Sequence, residues 1–152
     1  MIVYLIFLSL SLLWLFILFL GPYLSGNEYN LLQEIYYQAF KIICHQNPER
    51  SYFVWEHQMP VCARCFGIYA GILVGAVIYP LFKKLNSTQI PKFKYLLIFL
   101  APLVFDGIFQ TLGLYKSSNH IRLFTGILGT SALVFYFLPL LNQIYNRFKN
   151  EK

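Results

Sequence analysis

Four long apolar stretches, separated by shorter polar ones, give the chain its outline. They occupy about residues 1–23, 62–82, 95–115 and 119–145. Each is close to the roughly 20 mainly apolar residues that a helix needs to cross the hydrocarbon core of a bilayer. The pattern therefore predicts an all-α membrane protein with four transmembrane helices. Between the first and second runs the periodicity changes. Leu32, Ile35, Tyr36, Ala39, Phe40 and Ile43 recur at helical spacing, and Asn30, Gln33, Glu34, Gln38 and Lys41 fall on the opposite side. This predicts an amphipathic helix over about residues 26–45, lying along the membrane surface or over the bundle. Ser25-Gly26-Asn27-Glu28 offers a capping box at its start. Asn47-Pro48 stops it, because proline disfavours the helical region for the residue before it. From Arg50 to Val61 the chain is short and aromatic, and it is expected to form a loop or weak hairpin at the interface, where Tyr and Trp rings sit half buried.

The first run carries no charged side chain. A signal peptide has a basic start, a shorter apolar region and a small-x-small cleavage site, whereas Leu20-Gly21-Pro22-Tyr23-Leu24 makes a poor one. A retained anchor helix is expected, with a cleaved signal as the alternative. In the second run Gly67, Gly71 and Gly75 recur every four residues beside Ala70, a seam that lets a neighbouring helix approach closely. Asp106, Gln110 and Gly113 share a face of the third run, and Asn119, Arg122, Gly126 and Thr130 form a stripe at the start of the fourth. Arg122 is expected to lean toward Asp106, which lies roughly 13 Å below the outer end of the third helix at about 1.5 Å per residue. An ionisable group at such depth is costly unless paired and by default marks a functional site. A purely structural Asp–Arg pair is the alternative.

Composition agrees with the pattern. Of 152 residues 58% are hydrophobic and 12% charged, too few polar side chains to cover a soluble globule, so residues 1–152 read as one integral membrane domain. The net charge of +6 calls for no nucleic acid, and the expected partner is membrane lipid. Lys83, Lys84, Lys92 and Lys94 cluster between the second and third spans, and Arg147, Lys149 and Lys152 lie at the C-terminus. The segment from Ser25 to Val61 has Lys41 and Arg50 against Glu28, Glu34, Glu49 and Glu56. The positive-inside rule then places both termini in the cytoplasm of a cell (inner) membrane protein. Arg64, Lys116 and Arg122 weaken the bias without reversing it. The surface helix, all three cysteines and Ser117-Ser118-Asn119-His120 fall on the extracytoplasmic side.

Cys44-His45-Gln46 with Pro48-Glu49-Arg50-Ser51, the run from Pro60 through Cys62-Ala63-Arg64-Cys65 to Gly71, Asp106-Gly107 with Gln110, and Ser118-Asn119 with Arg122 and Thr125-Gly126 together resemble the domain-of-unknown-function 2085 family of small prokaryotic integral membrane proteins. The resemblance runs from Cys44 to Gly129, leaving the first span and the C-terminal tail outside. Phe66 departs from it, standing where a small polar residue such as Thr is expected. The resemblance implies a shared outer-face site of Cys, His, Asp, Gln, Asn and Arg, and no established reaction.

Exposed thiols outside the cytoplasm tend to oxidise, so three cysteines need an explanation. One is a zinc-like metal site. Cys62-x-x-Cys65 has the spacing of half a zinc site, Cys44 can supply a third thiolate, and one histidine can complete a tetrahedron. His45 adjoins Cys44, so its participation would require the helix end to unwind; His57 or His120 is expected to fit more easily. Closed coordination would be structural. An open position would allow a metal-activated water to attack a lipid-borne ester or phosphate, as a hydrolase or transferase, with Asp106 or Glu49 as base, Gln110 on the same face, and Arg50, Arg64 or Arg122 steadying the anion. The second explanation is thiol chemistry. Cys62 and Cys65 at a helix N-terminus beside Arg64 favour a thiolate, and the layout is similar to that of quinone-linked disulfide-generating membrane proteins, although these need a second cysteine pair and only Cys44 is left over. A third reading is a non-enzymatic adaptor or transporter component with Asp106, Gln110 and Arg122 lining a polar cleft. No nucleotide loop, Ser-His-Asp order or heme attachment motif is present. Reporter fusions are expected to place the Lys83–Lys94 loop inside and the Cys44–Cys65 segment outside. Both on one surface would end the proposed geography.

Overall fold

The computed structural model describes residues 1–26 and 30–150. Its elements are α1 (Ile2–Ser25), α2 (Asn30–Lys41), a short 3-10 turn (Pro48–Arg50), β1 (Ser51–Val54), β2 (His57–Cys62), α3 (Ala63–Phe82), α4 (Phe93–Thr111) and α5 (Asn119–Asn150). α1, α3, α4 and α5 are each long and apolar enough to cross a membrane. The protein is thus a four-span helical membrane protein, with α2 and a hairpin at one end of the bundle.

The expected surface helix is shorter than its polar pattern suggests. Ser25 ends α1, and its hydroxyl donates to the Gly21 carbonyl, so it does not cap α2; Asn27 and Glu28 lie outside the described residues. At the other end α2 stops at Lys41, and the Cys44 amide donates to the Phe40 carbonyl as the chain leaves the helix. Gln46 then takes a positive φ of 49°, which turns the chain before Pro48 is reached. Tyr36 and Phe40 form the edge of α2 that meets protein: the Tyr36 hydroxyl donates to the Ile17 carbonyl of α1, and Phe40 packs against Trp14. Leu31, Leu32 and Ile35 remain exposed, as suits a helix bedded in a membrane surface.

The aromatic segment is a two-stranded antiparallel hairpin with Val54 opposite His57. Trp55 and Glu56 form its two-residue turn, both with positive φ, the backbone that matches the right-handed twist of the strands. Trp55 and Phe53 project as exposed rings, in keeping with an interfacial position. The strand register shifts between Ser51 and Phe53 and still brings Ser51 opposite Cys62, so the hairpin returns the chain to the mouth of α3.

The closest helix pair is α3 with α5. A Cβ added at Gly67 would stand 2.4 Å from the Leu123 carbonyl oxygen, at Gly71 2.7 Å from that of Ile127, and at Gly75 2.6 Å from that of Ser131. The four-residue spacing on both helices keeps the two backbones in register along the seam. Gly126 answers from the other side, where a Cβ would lie 2.9 Å from the Arg64 carbonyl oxygen. Thr130 crosses the seam with a hydrogen bond of 2.9 Å to the Ile68 carbonyl. α4 packs on α5 through Leu100 and Leu103 against Gly129, and the Tyr136 hydroxyl bridges the Leu96 amide and the Lys92 carbonyl at the start of α4.

Two apolar clusters lie at opposite ends. Leu18, Phe40, Met59, Val61, Cys44 and Cys62 form one beneath the hairpin; Tyr4, Ala76, Tyr79, Val134 and Leu138 form the other. At that second end the N-terminal amine meets Asn86, and Asn142 holds the α3–α4 loop by donating to the Leu85 and Ser87 carbonyls at 2.9 and 3.1 Å. Met1 and the lysine-rich loop therefore share one end, and the Cys, Asp and Arg residues lie at the other. Because the seam is backbone against backbone, Gly67→Ala or Gly71→Ala is expected to cost about 1–3 kcal/mol. Gly107→Ala, with no atom nearer than 4.0 Å, is expected to be neutral or stabilising by up to about 1 kcal/mol. Denaturation in mixed micelles checks the contrast, and equal effects at all three positions would contradict the seam.

Candidate functional site

The three thiols converge from three directions. Cys44 leaves α2, Cys62 ends β2, and Cys65 sits in the first turn of α3. Cys44 and Cys62 are buried. The Cys62 amide donates to Cys44 Sγ at 3.1 Å, and the Cys62 and Cys65 thiols stand beside the same sulfur. These donors, that of Cys62 first, hold the Cys44 thiol well below its ordinary range. The proton is correspondingly held on Cys62, pushed up by its bond to Cys44.

Of the three candidate histidines, His45 is the one beside the sulfurs. Its Nδ1 lies 3.8 Å from Cys44 Sγ, and the ligand atoms of Cys44, His45 and Cys62 all lie within 4.8 Å of one another. No unwinding is needed for this, since α2 has already ended at Lys41. His57 instead approaches Gly26, and the Nδ1 of His120 lies 3.4 Å from the Tyr52 hydroxyl. A tetrahedral ion with Zn–S near 2.3 Å and Zn–N near 2.0–2.1 Å separates its S and N ligands by about 3.6 Å, so the Cys44–His45 spacing suits such an ion with little adjustment.

A polar scaffold holds the Cys44 loop against the hairpin. Gln46 Nε2 donates to the Tyr37 and Pro60 carbonyls at 2.8 and 3.0 Å, and Gln58 Nε2 donates to the Gln46 carbonyl at 2.7 Å. The Tyr37 hydroxyl donates to the Gln58 carbonyl, and Ser51 Oγ to the Asn47 carbonyl at 2.8 Å. Gln46 and Ser51 therefore act as braces for the thiols. Their polarity inside a dense motif was the only sequence signal for this role.

Beside the thiols, Arg64 of α3 turns toward α4. It pairs with Asp106 and donates to Gln110 Oε1 at 2.7 Å. The Tyr115 hydroxyl supplies Asp106 with a further hydrogen bond. This corrects two sequence expectations. Arg122 does not take Asp106; its Nη1 donates to Asn119 Oδ1 at 2.6 Å. Gly113 does not continue the face of Asp106 and Gln110, because α4 ends at Thr111 and Gly113 has a φ of +71°. Arg64 wins because the glycine seam fixes the first turn of α3, from which its long side chain reaches across to α4. Tyr115 was missed because it lies beyond the helix, outside any helical periodicity.

Around the C-terminal end of α4 and the N-terminal end of α5 a cleft of about 430 Å³ is lined by Glu49, Arg50, Gln110, Lys116, Asn119 and Arg122, among others. Asn119 ties its wall to the hairpin by donating to the Glu49 and Ser51 carbonyls. Arg122 is 94% buried at 6% exposure, and its Nε has no hydrogen-bond partner. An uncompensated buried ion costs several kcal/mol.

A double-mutant cycle distinguishes the two arginines. Arg64→Gln with Asp106→Asn is expected to show a coupling of about 1–3 kcal/mol, and Arg122→Gln with Asp106→Asn less than half of that. The reverse order, read by denaturation in micelles, would restore the Arg122 pairing.

Comparison with known proteins places this arrangement. A protein of Methanocaldococcus jannaschii, described as uncharacterised, is 43% identical over 152 residues, covering 96% of this chain and 97% of its own. An uncharacterised protein of Methanothermobacter thermautotrophicus is 38% identical over 90 residues, 58% of this chain and 78% of its own. No solved structure matches the chain. The profile of DUF2085, described as a predicted membrane protein, matches residues 44–136. That stretch begins at Cys44 and takes in the other two cysteines, the Arg64–Asp106 pair and Arg122, and the chain belongs to this family of predicted membrane proteins.

Proposed function

We propose that Cys44, Cys62, Cys65 and His45 hold one zinc-like divalent ion, and that this ion fastens the Cys44 loop and the end of the hairpin to the mouth of α3. The observation that carries the reading is the 3.8 Å approach of His45 Nδ1 to Cys44 Sγ, within a cluster whose third donor, Cys62, comes from β2 and against which Cys65 of α3 packs. The amide bond to Cys44 Sγ supports it, since ligand sulfurs in metal sites are oriented by such donors. Three thiolates and one imidazole make a closed tetrahedral set, the pattern of a structural site. A hydrolase or transferase acting on a lipid-borne substrate would need an open position and a free base. Asp106 is engaged by Arg64 and Tyr115, which weighs toward the structural role. The ion would fix the backbone on both sides of the hairpin, and so hold Arg64 facing Asp106 and Arg50 facing the cleft. With the lysine-rich loop in the cytoplasm, this site faces outward from the cell (inner) membrane.

Elemental analysis of the full chain in mild detergent, combined with thiol counting, tests the reading. About one zinc per chain, with its thiols reduced and masked until chelation, is the expected result. Cys44→Ser and His45→Ala should lower metal occupancy, and His57→Ala and His120→Ala should leave it unchanged. A metal-free chain with a Cys62–Cys65 disulfide and a single free thiol would overturn the proposal in favour of thiol-disulfide exchange. Full occupancy in Cys44→Ser would remove that residue from the ligand set.

A further inference from the structure

The cleft between the hairpin, the C-terminal end of α4 and the N-terminal end of α5 has a charge pattern that the metal site does not explain. Arg50, Lys116 and Arg122 line it, with Glu49 as its acid. Among the described residues the one ion pair is Arg64–Asp106, so neither Arg50 nor Arg122 has a carboxylate partner. Cations gathered this way repel one another, and a guanidinium buried as deeply as Arg122, with Nε unpartnered, is stabilised when an anion joins it.

We propose that this cleft binds the oxyanion of a phosphate group. The guanidinium of Arg122 offers a fork of donors suited to a tetrahedral oxyanion, and Arg50 and Lys116 add charge at the rim. Asn119 fixes the fork from one side through its 2.6 Å bond to Nη1, while Nε is buried without a partner. Free phosphate and a lipid headgroup share this chemistry. The lipid source is favoured by what lies around the helix from Gln110, an apolar groove on α4 lined by Gly107, Ile108, Thr111 and Leu112. A headgroup in the cleft could lay an acyl chain along it. None of these residues is a proposed metal ligand, so the inference stands apart from the metal site.

The test is calorimetric titration of the full chain in neutral micelles, at constant metal content, with inorganic phosphate, dihexanoyl phosphatidic acid and dihexanoyl phosphatidylcholine. Saturable binding of a phosphate probe is expected. It should weaken about tenfold in Arg50→Gln and in Lys116→Gln, as loss of one charge-assisted contact implies, and stay unchanged in Lys84→Gln at the other end of the bundle. Arg50 and Lys116 are not buried, so these variants should fold even if Arg122→Gln does not. Phosphatidic acid binding more tightly than phosphate identifies a lipid ligand, and equal affinities identify free phosphate. Binding of neither probe, equal binding of phosphatidylcholine, or undiminished affinity in the Arg50→Gln, Lys116→Gln double variant overturns the proposal.

Discussion

The close approach of α3 and α5 is the contact on which the cysteine-bearing end of this molecule depends. Three glycines of α3 lie against the backbone of α5, and Gly126 returns the fit from α5. Within a bilayer, helix association is driven by packing and hydrogen bonding, because lipid tails are as apolar as the side chains they would replace. Backbone contact of this kind permits little sliding or rotation. It fixes Arg64 and Cys65, in the first turn of α3, beside Arg122 in the first turn of α5. The polar chemistry of the chain thus collects at one mouth because the two helices that carry it are locked along their length.

From that lock the electrostatics follow. Asp106 is 4% exposed and would be expensive inside the bundle without a cation. Arg64, held by the seam, reaches it together with the Tyr115 hydroxyl, and Gln110 accepts a second bond from the same guanidinium. Having lost that carboxylate to Arg64, Arg122 turns to Asn119 and lines the cleft. One pairing therefore determines two environments: a satisfied acid between α3 and α4, and an under-partnered guanidinium between α5 and the hairpin.

The hairpin and its bracing glutamines connect this charged mouth to the thiols. Gln46 and Gln58 exchange hydrogen bonds between the Cys44 loop and β2, so Cys44 meets Cys62 and Cys65 although 18 residues separate it from the nearer one. Asn119 reaches the same hairpin from α5. The cysteine cluster and the cleft thus share a wall through Ser51 and Asn119.

Local pattern was sufficient for the spans, the surface helix, the hairpin, the glycine seam and the shared face of Asp106 and Gln110, because each depends on residues close together in sequence and on a helical or strand period. Even the assembly of the motif at one end follows from counting membrane crossings. Which arginine meets Asp106, and which histidine stands beside the sulfurs, were decided only by the tertiary structure. These choices depend on how one helix is rotated against another and on where a chain leaves its helix. Arg64 and Arg122 look alike along the sequence; the seam alone orients the first toward α4. His45 looked excluded by its neighbour Cys44 so long as α2 was taken to run on to residue 45, and became available because Gln46 turns the backbone after a helix that ends at Lys41. Periodicity records which face of its own helix a residue occupies, and the partner on that face is set by contacts between segments far apart in the chain.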